Sequence, residues 1–167
     1  MKSAKILVFS AAALILSGCT GYQAGRALDS SVKTVSLSVI NKTDEPSIEV
    51  AVMKALRAEI QMDGQLAISS QDEADAVLTV TLTRFTLDPL AFNRRQGSLA
   101  EEYRMTLSAS AVLSYTESNA VILENPAVRG EAEFSYIADL TSAKRAGMPE
   151  AAADLARKVV SSVVTAW

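Results

Sequence analysis

The side chains that most often carry out nucleophilic and acid–base chemistry are nearly missing from this chain of 167 residues, which contains no histidine and a single cysteine, Cys19. Without histidine, neither a serine–histidine nor a cysteine–histidine catalytic site can form, and a zinc site would need carboxylates alone. Ser142 and Lys144 suggest a serine–lysine pair, but their surroundings, "DLTSAKRAGMPE", predict a loop before a helix and a solvated lysine. We therefore expect no enzyme activity, no catalytic residues and no cofactor.

Carboxylates occur in short clusters, and paired carboxylates can bind a hard cation or act as general acid and base. Glu131 and Glu133 share one face of a predicted strand, as such a pair requires. A solvated strand face explains the same spacing, and we favour it, so we expect no metal site. The clusters are Asp72-Glu73-Asp75, Glu101-Glu102 and Glu131-Glu133.

Basic residues gather at two predicted loops, one between two long strands and one before the last helix. The guanidinium fork of arginine matches the oxygens of a phosphate group, so both loops are candidate contacts for a phosphate-bearing ligand. Loops are polar by default, and a solvated loop is the alternative. The candidates are Arg84, Arg94, Arg95, Arg104, Lys144 and Arg145.

Residues 1–18 predict a secretory signal that ends just before the only cysteine. Lys2 and Lys5 form its basic start, residues 6–16 its apolar core, and Ser17-Gly18 the small residues at the cleavage point. The apolar core has about eleven residues, whereas a membrane-spanning helix needs roughly twenty. A transmembrane anchor is therefore the weaker interpretation.

The run Leu16-Ser17-Gly18-Cys19 resembles the lipobox of bacterial lipoproteins, in which the cysteine becomes the first residue and its thiol is acylated. Two or three acyl chains make such an anchor effectively permanent. An ordinary signal peptide with an unmodified cysteine is the alternative. Lipoproteins retained in the inner membrane of many Gram-negative bacteria carry aspartate after the cysteine. Because Thr20 stands there, the resemblance implies a lipid-anchored outer-membrane protein that faces the periplasm.

Acylation of Cys19 would consume the only thiol, so the mature domain would have no internal disulfide. Removal of Lys2 and Lys5 with the signal would change the net charge from −3 to −5, with 14 basic against 19 acidic residues. Such a chain is poorly suited to bind nucleic acid. Residues 19–31 are small and polar and predict a lipidated tether, and residues 32–167 predict a single domain.

The hydrophobic periodicity of the domain predicts a β-α-β-β-β-β-α order. Val35, Leu37 and Val39 alternate with serines as in a half-buried strand, whereas the next segment has a helical stripe. We expect an α+β fold in which two helices pack on one face of a mostly antiparallel sheet of four to five strands. The predicted strands are 32–40, 66–68, 76–90, 103–115 and 121–136. The first predicted helix lies within 41–64, where Asp44, Glu45 and Pro46 are its start signals and Gly64 ends it, and the second is 148–167.

Four residues predict local irregularities. Arg84 breaks the alternation of its strand and predicts a bulge or bend. Pro126 must lie at a sheet edge or a bulge, and Pro149 suits the first turn of the last helix. Asn41 begins a glycosylation sequon, but a turn made by its side chain is the better interpretation in a bacterial lipoprotein.

The order of these motifs resembles the lipopolysaccharide-assembly lipoprotein family, often called LptE, over nearly all of the mature chain. The matching features are the lipobox cysteine followed by Gly21-Tyr22, "NKTDEP", "IEVAVMKALRAEI", "ADAVLTVTLTRF", "EYRMTLSASAVL" and an alanine-rich last helix that ends in Trp167. The order and spacing of the motifs carry most of the resemblance.

The resemblance implies a non-enzymatic protein that plugs the β-barrel lipopolysaccharide translocon of the outer membrane, assists its assembly and contacts lipopolysaccharide through the basic loops. A polar barrel lumen would suit a compact domain with a serine- and threonine-rich surface. A free periplasm-facing lipoprotein that binds a small ligand or peptidoglycan is the alternative. A hydrolase ranks third because histidine is absent.

Overall fold

The computed structural model describes residues 32–93, 99–135 and 139–165. The predicted signal, residues 1–18, and the predicted tether, residues 19–31, lie outside the described residues. The same holds for Cys19, Arg94, Arg95 and Trp167.

The predicted order of strands and helices is confirmed. One five-stranded sheet has the strand order β2-β1-β3-β4-β5. Strand β1 runs parallel to β2 and β3, whereas β3, β4 and β5 are antiparallel to their neighbours, so the sheet is mixed. The elements are β1 Thr34–Asn41, α1 Ile48–Asp63, β2 Ala67–Ile68, β3 Ala76–Asn93, β4 Leu99–Tyr115, β5 Val121–Ser135 and α2 Leu140–Thr165.

Both helices cover the same face of the sheet, as the sequence predicts. Helix α1 packs on β1, α2 packs on β4 and β5, and the two helices contact each other. The buried stripe of α1 is Ile48, Val52, Leu56 and Ile60. Alternate residues of β4, among them Met105, Leu107 and Leu113, are fully buried beneath the helices. Each such side chain contributes about 1.5–3 kcal/mol to the stability of the fold.

The irregularities predicted at Arg84 and Pro126 are both found. The β3–β4 register shifts between Leu82 and Arg84, so Phe85 takes over the position on the core face. The β4–β5 register shifts between Ala109 and Ala111, opposite Pro126, and β5 is also an edge strand. A proline that lacks a backbone N–H is tolerated in such a place.

Helix α1 has unusual residues at both ends. Ser47 precedes it with a positive φ of 64° and no side-chain cap, and Gly64 follows it with φ 74° and donates its N–H to the Ile60 carbonyl. The Asn41 side chain accepts the Thr43 N–H at 2.9 Å, which confirms the predicted side-chain turn. The loop from Lys42 to Ser47 is thereby held close to the end of β1.

The start of α2 corrects the sequence prediction. The helix begins at Leu140 and contains Pro149 in its interior, so Pro149 is not in the first turn. Asp139 explains the earlier start, because its carboxylate accepts the N–H groups of Thr141 and Ser142 at 3.2 and 2.8 Å. A hydrogen bond with the Ser142 side chain, followed by these two backbone interactions, holds the pKa of Asp139 below its usual range.

Residues 140–148 are therefore helical, not a loop, and Lys144 and Arg145 lie on the first turns of α2. Pro149 cannot donate to the carbonyl four residues earlier, which belongs to Arg145. Within the described ranges, neither helix combines the length and the apolarity that a membrane crossing requires.

Candidate functional site

A groove of about 760 Å³ lies between the start of α1 and the first half of α2. We call it the helix groove. Apolar side chains of both helices line it, and three cations, Lys54, Lys144 and Arg145, belong to it. Such a combination suits a ligand that is both apolar and anionic. The remaining lining residues are Glu45, Pro46, Ser47, Ile48, Val50, Ala51, Thr141, Met148 and Pro149.

Lys144 is held firmly inside this groove. Its Nζ lies 2.6 Å from Glu45 Oε1, and the two side chains are only 25% and 18% exposed. The same Nζ lies 5.9 Å from the ring centroid of Phe85, within the range of a cation–π interaction. Lys144 therefore joins α2 to the loop before α1, and part of its charge is neutralised within the protein.

Arg145 and Lys54 are the exposed cations of the helix groove. Within the described residues, neither forms an ion pair. Their guanidinium and ammonium groups are available to an anionic ligand without the loss of an existing bond. Lys54 was missed as a candidate because the helical pattern places it among the polar residues of α1, where nothing in the sequence marks its proximity to α2.

Arg84 lies beside a smaller cleft of about 240 Å³ that shares Glu45 with the helix groove. Lys42, Asp44 and Phe85 also line this cleft. Arg84 is exposed and stands in β3 at the bulge, so it is a strand residue and not part of a loop. Glu45 is therefore common to the helix groove, which includes Lys144 and Arg145, and to the cleft beside Arg84.

Arg104 is not part of this arrangement. It lies in β4, next to Glu133 of β5, and donates from Nε and Nη2 to Glu133 Oε1 at 3.2 and 2.7 Å. The bond to Glu133 raises the pKa of Arg104. Arg104 alternates with the buried residues of β4, so it lies on the face of the sheet opposite the helices. Arg94 and Arg95 lie outside the described residues.

The structure does not bring Ser142 and Lys144 together as a serine–lysine pair. The Ser142 N–H donates to Asp139, whereas the Lys144 ammonium is bound to Glu45. Residues two apart on a helix point in widely different directions, so the serine–lysine pair does not form. Within the described ranges, no group of three carboxylate or cysteine side chains is arranged to hold a metal ion.

Solved structures share this fold at low sequence identity. PelC from Paraburkholderia phytofirmans, described as a dodecamer, is 16% identical with a TM-score of 0.52, over 84% of this chain and 94% of that one. A Xanthomonas campestris protein is 12% identical with a TM-score of 0.56, over 86% and 90% of the two chains. A candidate lipoprotein from Caulobacter crescentus is 13% identical with a TM-score of 0.50, over 72% and 83%. These likenesses concern the fold alone.

The family assignment comes from sequence. No curated protein sequence matches this chain. The model of the LptE lipopolysaccharide-assembly family matches residues 32–165, which is the whole of the predicted domain except its last two residues. The chain therefore belongs to the LptE lipopolysaccharide-assembly family.

Proposed function

We propose that this protein is an outer-membrane lipoprotein that plugs the β-barrel lipopolysaccharide translocon, assists its assembly and contacts lipopolysaccharide during export. The family match supports a role in lipopolysaccharide assembly. The observation that carries the contact with lipopolysaccharide is the helix groove, which combines apolar walls with the cations Lys54, Lys144 and Arg145. The plug role comes from the family resemblance.

The chemistry of the groove suits the lipid portion of lipopolysaccharide, which carries phosphate groups beside acyl chains. Arg145 and Lys54 would bind phosphate oxygens, and the apolar walls formed by Val50 and Met148 would contact an acyl chain. Arg84 would extend the basic region along β3. Lys144 would act mainly by holding the groove together, because Glu45 already binds it.

The anchor and the location belong to the same proposal. Cys19 would carry the acyl chains, and residues 19–31 would connect them to the domain. Arg94 and Arg95, which lie between β3 and β4 in the sequence, would provide a second lipopolysaccharide contact, and Arg104 would support that contact from β4.

Binding to lipopolysaccharide tests the groove. Full-length protein in mild detergent is titrated with fluorescent lipopolysaccharide, and the variant Lys54→Ala/Arg145→Ala is compared with Lys33→Ala/Arg157→Ala, which removes two exposed cations elsewhere. We expect the groove variant to bind about five- to ten-fold more weakly, with a smaller salt dependence, because it lacks two charged contacts. Equal binding by both variants would remove the groove from the proposal.

The variant Arg94→Ala/Arg95→Ala tests the second lipopolysaccharide contact in the same assay. Weaker binding than that of the control variant supports that contact, and equal binding contradicts it.

Co-purification tests the plug. The protein, tagged after Trp167, is extracted from outer membranes in mild detergent, and the proteins that accompany it are identified by mass spectrometry. Recovery of a stoichiometric large β-barrel supports the plug role. Recovery of the lipoprotein alone, with the tag accessible, contradicts it and favours the free lipoprotein that binds a small ligand or peptidoglycan.

A further inference from the structure

The two outer edges of the sheet differ in whether their backbone groups have partners. On β5, the Glu131 N–H donates to Asp154 Oδ2 at 3.0 Å, and the Arg129 carbonyl accepts from Lys158 Nζ at 2.9 Å. Helix α2 thereby covers the middle of that edge. Covered edges resist pairing with another chain.

The edge at β1 is covered only at its start. Strand β2 pairs with Thr34 and Val35 and then ends. The Lys33 and Val35 carbonyls accept the N–H groups of Ala67 and Ser69 at 2.9 and 3.0 Å, so the odd-numbered residues of β1 direct their backbone groups toward β2. Leu37 and Val39 therefore direct their N–H and carbonyl groups toward the same side, beyond the end of β2. Within the described residues, no strand pairs with them there.

A cleft of about 600 Å³ lies beside this unpaired stretch. We call it the serine cleft. Most of its lining is polar, and Arg57 of α1 belongs to it. Ser36, which is 6% exposed, also lines it, and its hydroxyl has no hydrogen-bond partner within the described residues. A buried hydroxyl without a partner costs about 1–3 kcal/mol, which a bound polar group would recover. The other lining residues are Leu37, Ser38, Ile68, Ser69, Ser70, Gln71, Glu73 and Val77.

We propose that the β1 edge and the serine cleft bind an extended segment of a partner polypeptide that carries an acidic side chain opposite Leu37. The segment would continue the sheet at the point where β2 ends, and its backbone would bond to Leu37 and Val39. Strand addition of this kind obtains affinity from backbone hydrogen bonds and specificity from alternate side chains.

The acidic side chain follows from the position of Arg57. Leu37 packs against the core on the face that the helices cover, so a residue paired opposite Leu37 would also point toward α1. Arg57 lies on α1, lines the cleft, is exposed and forms no ion pair within the described residues. The carboxylate of Glu73, the other charged group of the cleft, accepts a hydrogen bond from the Ser70 hydroxyl at 3.1 Å.

Hydrogen exchange tests the open edge in the full-length, isotope-labelled protein without any variant. We expect the amides of Leu37 and Val39 to exchange about ten-fold or more faster than those of Ser36 and Ser38, which face β3. Equal protection of odd and even residues would overturn the proposal. Slower exchange at Leu37 and Val39 as the protein concentration rises would also overturn it, because a second copy would then occupy the edge.

Peptide binding tests the partner chemistry. The probes are nine-residue peptides that alternate threonine and valine, with glutamate or lysine at the centre. We expect the glutamate peptide to bind about three-fold more tightly than the lysine peptide and to slow exchange at Leu37 and Val39. Arg57→Glu should reverse the preference. An unchanged preference in that variant would overturn the acidic partner.

A backbone variant tests the mode of binding. Val39→Pro removes the N–H that faces the edge. Val39→Ala keeps that N–H and, like the proline variant, loses part of the packing of the valine side chain. Proline is tolerated where the N–H has no partner, so we expect Val39→Pro to fold and to bind the glutamate peptide about five-fold more weakly than Val39→Ala. Equal binding by the two variants would overturn strand addition. If Val39→Pro does not fold, the exchange rates of the Leu37 and Val39 amides relative to those of Ser36 and Ser38 decide whether the edge is open.

Discussion

Lys144 in α2 and Glu45 in the loop before α1 form an ion pair, with 2.6 Å between Nζ and Oε1, that joins segments 99 residues apart in the chain. The pair lies at the side of the helix groove and is largely shielded from solvent. It connects the packing of the two helices to the shape of the candidate site.

Lys144→Met should lower the free energy of unfolding by about 1–2 kcal/mol, because Glu45 would keep a partly buried charge without its partner. Urea denaturation at neutral pH measures the change. Arg157→Met is the control, since Arg157 is 63% exposed in its ion pair with Asp154 and its loss should cost less than about 0.5 kcal/mol. Equal losses of unfolding free energy in the two variants would contradict the shielding of the Lys144–Glu45 ion pair from solvent.

Gly130→Ala should destabilise the protein by about 2–3 kcal/mol. A Cβ at this position would lie 2.5 and 2.6 Å from Leu155 Cβ and N, and closer still to the Ala151 carbonyl oxygen, so α2 would have to move away from β5. Thermal or urea denaturation measures the loss.

Gly147→Ala is the matched control. The atoms nearest to the new Cβ would belong to the Phe134 side chain, at 3.0 Å and beyond, and a side chain can adjust where a helix backbone cannot. Alanine is also favoured over glycine inside a helix by up to about 1 kcal/mol, so this variant should be nearly neutral. A larger loss for Gly147→Ala than for Gly130→Ala would show that α2 does not press on β5.

Asp75→Asn should lower stability at neutral pH, with a difference that shrinks in acid. Hydrogen bonds from the Lys33 N–H and from the Thr34 hydroxyl and N–H hold the pKa of Asp75 below its ordinary value of 3.8. A carboxyl group with a lowered pKa stabilises the fold above its unfolded-state pKa, and that contribution is lost as the pH falls through the folded-state pKa.

Urea midpoints at pH 7 and at several values below 3.8 measure this dependence. Asp72→Asn, which changes an exposed carboxylate of the same turn, is the control and should leave the midpoint unchanged at each pH. A gap between wild type and Asp75→Asn that does not vary with pH would contradict the assigned role.

Ser47→Gly should stabilise the protein by about 0.5–1 kcal/mol. Ser47 has a φ of 64°, which is unfavourable for a residue with a side chain, and its hydroxyl does not cap α1. Gly64→Ala, at φ 74°, should have the opposite effect and cost about 1 kcal/mol. Thermal denaturation of both variants checks the pair, and changes of the same sign would contradict the backbone argument.

The sequence determined the order of the elements, the faces that they bury and the places where their regularity fails. Alternation in β3 and β4 and the helical stripe of α1 depend on local backbone geometry, which the residue pattern reflects directly. The irregularities at Arg84 and Pro126 were predictable for the same reason, because one breaks the alternation and the other lacks an N–H. The family was also recognisable from the order of the motifs, and the family model matches residues 32–165.

The tertiary structure decided where α2 begins and what the basic residues contact. Proline is typical of the first turn of a helix, but Asp139 caps α2 well before Pro149. Lys144 forms its ion pair with Glu45, which lies in a distant segment of the chain. The sequence also grouped Arg104 with the other cations, whereas pairing of β4 with β5 places it against Glu133. Such contacts depend on how distant segments meet, and the local pattern of a chain does not specify that meeting.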